Sequence, residues 1–155
     1  MVKSIEGKHI EYYEAILQLR EVSDEIVQFV KKQIKKEQVH VAKVKEVING
    51  YDYYLADNSF TRQLGQKLQH KFYGKVLLTT SLVGRKKDKD MHRFTVLFRG
   101  ISFTKGDTVE FQGELYQVKG LGKEILLQQV ETGKKFNVKW KNIRDVKKII
   151  VITNP

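Results

Sequence analysis

Apolar residues recur at helical spacing in two segments of the chain, and polar residues mark where each helix begins. The first helix is predicted over residues 23–37, where Ser23 is a suitable N-cap. Its apolar positions, spaced by four, are Ile26, Val30 and Ile34. The second helix is predicted to open at residues 57–59 and to end before Gly74. Its apolar positions, with the same spacing, are Phe60, Leu64, Leu68 and Phe72.

Runs of β-branched and aromatic residues predict five strands in the first part of the chain. Residues 10–19 favour a strand, although a helix is a competing interpretation because Glu14 and Ala15 are good helix formers. Asn49-Gly50 predicts a hairpin whose two turn residues both take positive φ. The remaining strands are predicted over residues 39–47, 51–55, 76–83 and 94–98.

The order of these elements predicts the fold class. The sequence β-α-β-β-α-β-β indicates an α+β sandwich in residues 1–100, with two helices on one face of an antiparallel sheet. From residue 106 to 140 the chain instead shows short strands separated by Gly-containing turns, which predicts a small β-barrel within residues 101–155. No linker-like composition separates the two regions, so we expect two adjoining domains.

The chain is strongly basic, which bears on its partner. Lys and Arg number 29 against 18 Asp and Glu, a formal net charge of +11. The excess is spread over both predicted domains, since residues 1–99 hold 19 basic and 12 acidic side chains and residues 100–155 hold 10 and 6. A polyanionic partner such as a nucleic acid is favoured over a surface that is basic only for solubility.

Motifs for other chemistry are missing from the sequence. The chain has no cysteine, which excludes disulfides and thiolate metal sites, and its four histidines lack metal-ligand spacing. No nucleophile elbow, zinc-protease motif or phosphate loop is present. We therefore expect no enzyme activity, no cofactor and no bound metal. The lack of a signal core and of an apolar run that could span a bilayer predicts a cytoplasmic protein, and we expect a monomer.

Three groups of cations are the candidate RNA-binding residues. The first lies on a loop over residues 85–90 and would act as a basic finger, the alternative being a solvated hairpin tip. The second lies off the apolar stripe of the second helix, where Lys67 and Lys71 share a face. The third surrounds a turn and the single tryptophan, Trp140. The members are Arg62, Lys67 and Lys71; Arg85, Lys86, Lys87 and Lys89; and Lys134, Lys135, Lys139 and Lys141.

Aromatic residues near these cations have two interpretations. Strand alternation would place Lys139 and Lys141 on one face and Trp140 on the other, which favours Trp140 as the core aromatic of the barrel. Five tyrosines could stack RNA bases, yet their positions in predicted strands favour packing. These are Tyr12, Tyr13, Tyr51, Tyr53 and Tyr54.

Several segments, taken in order, resemble the nonsense-mediated decay protein 3 family, which supplies the adaptor of the large ribosomal subunit. They are residues 12–20 (YYEAILQLR), residues 50–55 (GYDYYL), and residues 94–99 (FTVLFR) followed by Lys105-Gly106-Asp107. The resemblance covers nearly the whole chain. It implies two ribosome-binding domains, of which the first is similar to a protein of the large ribosomal subunit.

The second region resembles the N-terminal barrel of translation factor five-A, which implies an SH3-like barrel. The residues that carry this likeness are Lys105-Gly106-Asp107, Gly113 with Tyr116, and residues 131–135. In the family these domains bind the joining face and the exit-site region of the large subunit, near its mobile stalk. Eukaryotic members also recruit a nuclear exportin through a C-terminal tail.

The chain departs from the family pattern in two ways. The N-terminal region of the family binds zinc through paired cysteines, and this chain has none, so it is expected to lack that zinc region or to be a fragment. No acidic or leucine-rich tail follows Pro155, so exportin recruitment is not expected. The resemblance therefore implies an archaeal-type member.

These observations together predict a non-enzymatic adaptor that binds ribosomal RNA on the large ribosomal subunit, in maturation or quality control. Its basic loops would neutralise phosphates, and shape complementarity would set the site. The alternative is a protein-interaction module that docks a translation or assembly factor without direct RNA contact.

Overall fold

The computed structural model describes residues 10–149, apart from the side chain of Lys86, and the chain divides into two compact units. Unit 1 is Met1–Gly100 and unit 2 is Ile101–Pro155. The elements of unit 1 are β1 (Ala15–Arg20), α1 (Asp24–Lys36), β2 (Val41–Val47), β3 (Gly50–Leu55), α2 (Asn58–Lys71), β4 (Lys75–Lys86) and β5 (Lys89–Arg99). Those of unit 2 are β6 (Thr108–Phe111), β7 (Glu114–Leu121), β8 (Ile125–Gln129), β9 (Lys135–Val138), a 3₁₀ helix (Trp140–Asp145) and β10 (Lys147–Lys148). The prediction of a mixed helix-and-sheet protein is confirmed.

Side-chain caps begin both helices at the predicted places. The Ser23 hydroxyl accepts a hydrogen bond from the Ile26 amide at 3.4 Å, and the Asp57 carboxylate accepts one from the Phe60 amide at 2.9 Å. Such caps satisfy amide donors that have no partner in the first turn of a helix. The buried residues of both helices include the predicted apolar positions that lie within them, so both helix predictions are confirmed.

The strands of unit 1 form one five-stranded sheet in the order β2-β3-β1-β5-β4. Neighbouring strands run antiparallel except β1 and β5, which are parallel. The prediction of an antiparallel sheet is therefore wrong for this pair. The reason is connectivity: β4 runs opposite to β1, and the tight hairpin after β4 returns β5 to the direction of β1.

Both helices of unit 1 pack on the same face of this sheet. Alternate strand residues, such as Leu17, Leu19, Val96 and Phe98, join the buried side chains of α1 and α2 in a single core. The intervening residues lie on the other face, which neither helix of unit 1 covers. We call it the open face, and its members include Ile16, Gln18, Arg20, Tyr54 and Leu97.

The strands of unit 1 that differ most from their predicted bounds are β1, β4 and β5. β1 begins at Ala15 rather than at residue 10, and no part of residues 10–19 is helical, so the competing helix interpretation is wrong. β4 and β5 are longer than predicted and continue to Lys86 and Lys89. The predicted loop over residues 85–90 is therefore mostly strand, because cross-strand pairing continues through polar residues up to a two-residue turn.

The hairpin between β2 and β3 turns one residue earlier than predicted. Ile48 and Asn49 form the turn, Asn49 has a φ of 64°, and Gly50 already begins β3 without a positive φ. The prediction that both residues of Asn49-Gly50 take positive φ is therefore wrong. Close packing requires the glycine instead, because a Cβ at Gly50 would lie 1.8 Å from the Leu19 carbonyl oxygen in β1.

Unit 2 is a five-stranded antiparallel sheet in the order β10-β6-β7-β8-β9. Gln112 and Gly113 connect β6 to β7 with φ angles of 52° and 79°, as a type I′ turn requires. Alternate strand residues such as Val109, Val118 and Leu127 are fully buried and form a core separate from that of unit 1. The short strand β10, which the sequence analysis missed, returns to pair with β6.

Candidate nucleic-acid interface

The end of the β4–β5 hairpin gathers the four cations of the predicted basic finger, Arg85, Lys86, Lys87 and Lys89. We call residues 85–90 the hairpin tip. Lys87 and Asp88 form its turn with φ angles of 51° and 60°, which is typical of a type I′ turn. The strand register therefore brings cations from both strands together at one end of the hairpin.

Only part of the charge at the hairpin tip is paired. The Arg85 Nε atom lies 3.3 Å from a carboxylate oxygen of Asp90, and Arg85 also donates to the Asp88 carbonyl at 3.3 Å. Both side chains of this ion pair are more than half exposed, so the pair adds little to stability. Lys87 and Lys89 are exposed and form no ion pair within residues 10–149. The hairpin tip is thus a solvated, net positive surface suited to phosphate.

Two of the predicted cations on α2 point in different directions. The Arg62 guanidinium lies 5.4 Å from the centre of the Phe94 ring in β5. The Lys71 ammonium lies 4.9 Å from the centre of the Phe29 ring in α1. Such cation–π contacts hold each charge beside an aromatic ring at the surface. The structure therefore does not bring Arg62 and Lys71 together into one site.

The third predicted cation of α2, Lys67, is exposed at a cavity of about 310 Å³. Glu37 and Asp57 also line this cavity. Their carboxylates offset the charge of the lysine there, which makes the local surface less attractive to phosphate than the hairpin tip.

Unit 2 carries the four remaining cations, all exposed, at two places. Lys134 lies in the turn between β8 and β9, and Lys135 begins β9. Lys139 and Lys141 flank Trp140 where the 3₁₀ helix begins. The prediction that strand alternation separates them from Trp140 is wrong, since β9 ends before them and the tighter helix replaces the strand.

Trp140 packs against the core of unit 2 while part of it stays exposed. Its indole N–H donates a hydrogen bond to the Gly122 carbonyl at 2.8 Å. The prediction that Trp140 is the core aromatic is confirmed only in part, since Trp140 lies against the core rather than among its buried residues. The hydrogen bond satisfies the polar edge of a large, mostly apolar side chain and joins the start of the 3₁₀ helix to the β7–β8 connection.

The structure separates the tyrosines that the sequence analysis treated together. Tyr53 is buried in the core of unit 1 and Tyr51 packs against that core, so packing is confirmed for both. Tyr13 and Tyr54 instead meet edge to face, with ring centres 4.9 Å apart, and both remain half-buried.

Tyr12 belongs to a polar cluster just before β1. Its hydroxyl donates to a Glu14 carboxylate oxygen at 2.6 Å. The Glu14 carboxylate also accepts a hydrogen bond from the backbone N–H of Asn58 at 3.2 Å. Burial and the hydrogen-bonded carboxylate raise the pKa of Tyr12 to about 12. Glu14 thereby ties the segment before β1 to the first turn of α2.

Two cations that the sequence analysis did not single out form a row with the half-buried Tyr13 and Tyr54. The Lys43 ammonium lies 4.3 Å from the Tyr54 ring centre, and the Arg93 guanidinium lies 4.1 Å from the Tyr13 ring centre. We call Lys43, Tyr54, Tyr13 and Arg93 the cation–tyrosine row. Lys43 lies opposite Tyr54 in the β2–β3 register, so their contact could have been predicted from the hairpin. Nothing in the sequence indicates that Arg93 reaches Tyr13.

Neither a metal site nor a membrane-spanning helix is found in the described part of the chain. Within residues 10–149 no group of three His, Cys, Asp or Glu side chains is placed to hold a metal ion. In the same range no helix is long and apolar enough to cross a membrane.

Fold and surface together define a basic protein of two units, each built on one five-stranded sheet. Two helices cover one face of the unit 1 sheet, which also bears the cationic hairpin tip, and the unit 2 sheet is wholly antiparallel. Residues 12–99, more than half of the chain, match the family model described as NMD3, second domain. The chain therefore belongs to the NMD3 family, and the resemblance noted in the sequence is confirmed over residues 12–99. This family is associated with the large ribosomal subunit.

No curated protein matches the chain. A solved structure described as the crystal structure of the MjSpt4:Spt5 complex, conformation A, is 11% identical. That match covers 86% of this chain and 95% of the other, with a TM-score of 0.27. At that TM-score the likeness supports no conclusion about this chain.

Proposed function

We propose that this protein is a non-enzymatic adaptor that binds ribosomal RNA on the large ribosomal subunit, in maturation or quality control. The observation that carries the proposal is family membership over residues 12–99, because the family is associated with that subunit. A net charge of +11 supports an RNA partner, since ribosomal RNA is the main polyanion of a ribosomal subunit. We further propose that it acts in the cytoplasm as a monomer.

The hairpin tip is the primary RNA contact in this proposal. It lies at the end of a long two-stranded projection, and Lys87 and Lys89 are exposed. The strand register brings cations of both strands to the same end of the hairpin. Phosphate contacts of this kind fix position on an RNA without reading its sequence. The cations of α2 are secondary contacts, since they point in different directions.

We propose two domains, residues 1–100 and 101–155, and an SH3-like barrel for the second. Support for the barrel comes from the antiparallel strand order and from β10, which returns to pair with the first strand β6 after the 3₁₀ helix. Its four exposed lysines would add further phosphate contacts. They are Lys134, Lys135, Lys139 and Lys141.

A second candidate function is docking of a translation or assembly factor without RNA contact. The observation that favours it is a set of exposed apolar side chains on the β4–β5 hairpin, including Leu82 at 59% and Met91 at 43% exposure. Exposed apolar clusters of this kind are typical of protein contacts. They lie on the same projection as the cations, so one hairpin could serve either partner.

Co-sedimentation of the chain with isolated large and small ribosomal subunits across a salt series tests the proposal. Saturable binding to the large subunit that weakens with salt is the expected result. Equal binding to both subunits would reduce the protein to a general basic RNA binder. Salt-insensitive binding to the large subunit, together with no affinity for naked ribosomal RNA, would favour the docking function.

A further inference from the structure

A cavity of about 270 Å³ lies beside the middle of the β4–β5 hairpin. Three parts of unit 1 meet there: the segment before β1, the first residue of α2 and the middle of the hairpin. The segment before β1 contributes Tyr12 and Tyr13, and α2 contributes Asn58. The hairpin contributes His92 and Arg93. The cavity is distinct from the hairpin tip, because none of residues 85–90 lines it.

Two buried polar atoms in the lining residues of this cavity lack partners. The Arg93 Nε donor and the Asn58 Oδ1 acceptor are both buried, and neither has a hydrogen-bond partner among the described residues. Buried polar groups in folded proteins are nearly always satisfied, so an unpaired donor and an unpaired acceptor at one cavity need an explanation. A ligand that both accepts and donates hydrogen bonds would satisfy them.

The cation–tyrosine row leads from the open face to this cavity. Arg93 and Tyr13 belong both to the row and to the cavity lining, and Tyr54 and Lys43 extend the row away from it. Neither Lys43 nor Arg93 forms an ion pair within residues 10–149. Aromatic rings beside unpaired cations are the combination that proteins use to hold single-stranded nucleic acid.

One of the two acidic residues that line the cavity, Glu14, is already engaged. Its carboxylate accepts hydrogen bonds from the Tyr12 hydroxyl and from the backbone N–H of Asn58, so it is held by donors of the protein itself. The other acidic residue in the lining, Glu11, is exposed. The positive charge of Arg93 therefore remains available to an anionic ligand.

We propose that this cavity and the cation–tyrosine row bind one unpaired nucleotide of an RNA strand. The base would occupy the cavity beside Tyr13, where its edge offers both an acceptor for Arg93 and a donor for Asn58. The adjoining phosphates would lie along the row toward Lys43. Recognition of RNA through an unstacked base that rests on aromatic or guanidinium groups is common for single-stranded segments. The inference rests on the proposed RNA-binding function and gives it a preference for unpaired RNA.

Equilibrium binding of the full chain to two RNA probes tests the inference. One probe is an unstructured single strand carrying the fluorescent base 2-aminopurine, and the other is a duplex with the same number of phosphates. We expect tighter binding of the single strand and a loss of 2-aminopurine fluorescence on binding, because the base stacks. Tyr13→Ala should weaken single-strand binding about tenfold and leave duplex binding unchanged.

Three further variants separate stacking from charge and from folding. Tyr13→Phe keeps the ring and should bind as the wild type does. Arg93→Lys keeps the charge but removes the planar group and its Nε donor, so it should weaken single-strand binding even if Tyr13→Ala fails to fold. Tyr73→Ala removes an exposed tyrosine elsewhere in unit 1 and should change neither probe.

The possible failures of the inference and of the proposed function are distinguishable. Equal affinity for both probes, or single-strand binding that Tyr13→Ala and Arg93→Lys leave intact, would overturn the inference while large-subunit binding could persist. Binding of the large subunit without affinity for either probe would also overturn it and would indicate a protein contact. Selective single-strand binding without any binding of the large subunit would support the inference and contradict the proposed function.

Discussion

The Arg20 guanidinium lies 2.8 Å from the Asp52 carboxylate and joins β1 to β3 on the open face of the unit 1 sheet. The same Arg20 nitrogen lies 2.9 Å from the Leu19 carbonyl oxygen and 3.3 Å from that of Tyr51. The two charged side chains are only 20% and 10% exposed, so each depends on the other to compensate its charge. The pair therefore fixes the middle of the sheet from the face that the helices leave uncovered.

Replacement of Arg20 by Met should destabilise the protein by about 2–3 kcal/mol, because the Asp52 carboxylate would remain buried without its cation. Urea unfolding of the full chain measures this loss. The double variant with Asp52→Asn should recover a part of it, since the buried charge is then gone. The control is Arg85→Met, which breaks an exposed ion pair and should cost less than about 0.5 kcal/mol. Equal losses for Arg20→Met and the control would show that the buried pair has no special role.

Gly50→Ala should destabilise unit 1 by about 2–4 kcal/mol, because a Cβ there would lie 1.8 Å from the Leu19 carbonyl oxygen and β3 would have to move away from β1. Thermal unfolding followed by circular dichroism measures the effect. Gly122→Ala is the matched control, since a Cβ at Gly122 meets no atom within 4 Å and its φ is not positive. A loss at Gly50 no larger than that at Gly122 would refute the packing argument.

The sequence predicted the parts of the fold that depend on local chemistry. The caps Ser23 and Asp57 and the fourfold spacing of apolar residues placed both helices within a residue or two, because these signals lie inside the helices themselves. The parallel pairing of β1 with β5 could not be predicted in this way. That pairing joins segments almost eighty residues apart, and strand direction is set by the chain between them rather than by any local pattern.

The candidate site was predictable to a similar degree. Composition and charge runs identified the cations of the hairpin tip, yet their charge made residues 85–90 resemble a loop when they form strand ends and a type I′ turn. The contact of Arg93 with Tyr13 depends on tertiary folding, and no local pattern around either residue predicts it. Trp140 was also misplaced by local pattern. Its alternation with Lys139 and Lys141 is typical of a strand, yet a 3₁₀ helix begins at Trp140.

Alkaline titration should show that Tyr12 loses its proton at about pH 12, above the ordinary value of 10.0, because burial and the Glu14 carboxylate both disfavour the phenolate. As pH rises, the unfolded chain loses this proton first. Stability is therefore unaffected by Tyr12 below about pH 10, falls between about pH 10 and 12, and levels off above that range. Burial likewise raises the pKa of Tyr53 and adds to the fall.

The Tyr12 assignment is checked by the difference in phenolate absorbance between the wild type and Tyr12→Phe. The titration step that Tyr12→Phe lacks should be the one near pH 12. Glu14→Gln should lower the pKa of Tyr12 but leave it above the ordinary value, since burial is the larger cause. A lost step near pH 10, or a pKa that Glu14→Gln does not change, would contradict the hydrogen-bonded and buried setting described here.

Removal of charge from the hairpin tip should weaken binding to the large ribosomal subunit. We specify Arg85→Gln, Lys87→Asn and Lys89→Gln together, because Asn tolerates the positive φ of 51° at the turn and the change keeps the hairpin intact. If all three cations contact phosphates, the slope of log affinity against log salt should become shallower by about 2, at roughly 0.7 for each contact. Co-sedimentation across a salt series measures both the affinity and the slope.

The control for the hairpin variant removes the same charge elsewhere in unit 1. Lys31→Gln, Lys32→Gln and Lys35→Gln change three exposed cations of α1 and retain good helix formers. Loss of affinity and of slope in the hairpin variant alone would identify the hairpin tip as a specific contact. Equal losses in both variants would mean that only net charge matters, as expected for a general field around a basic protein. An unchanged slope in the hairpin variant would show that its cations do not touch RNA, whatever the rest of the surface does.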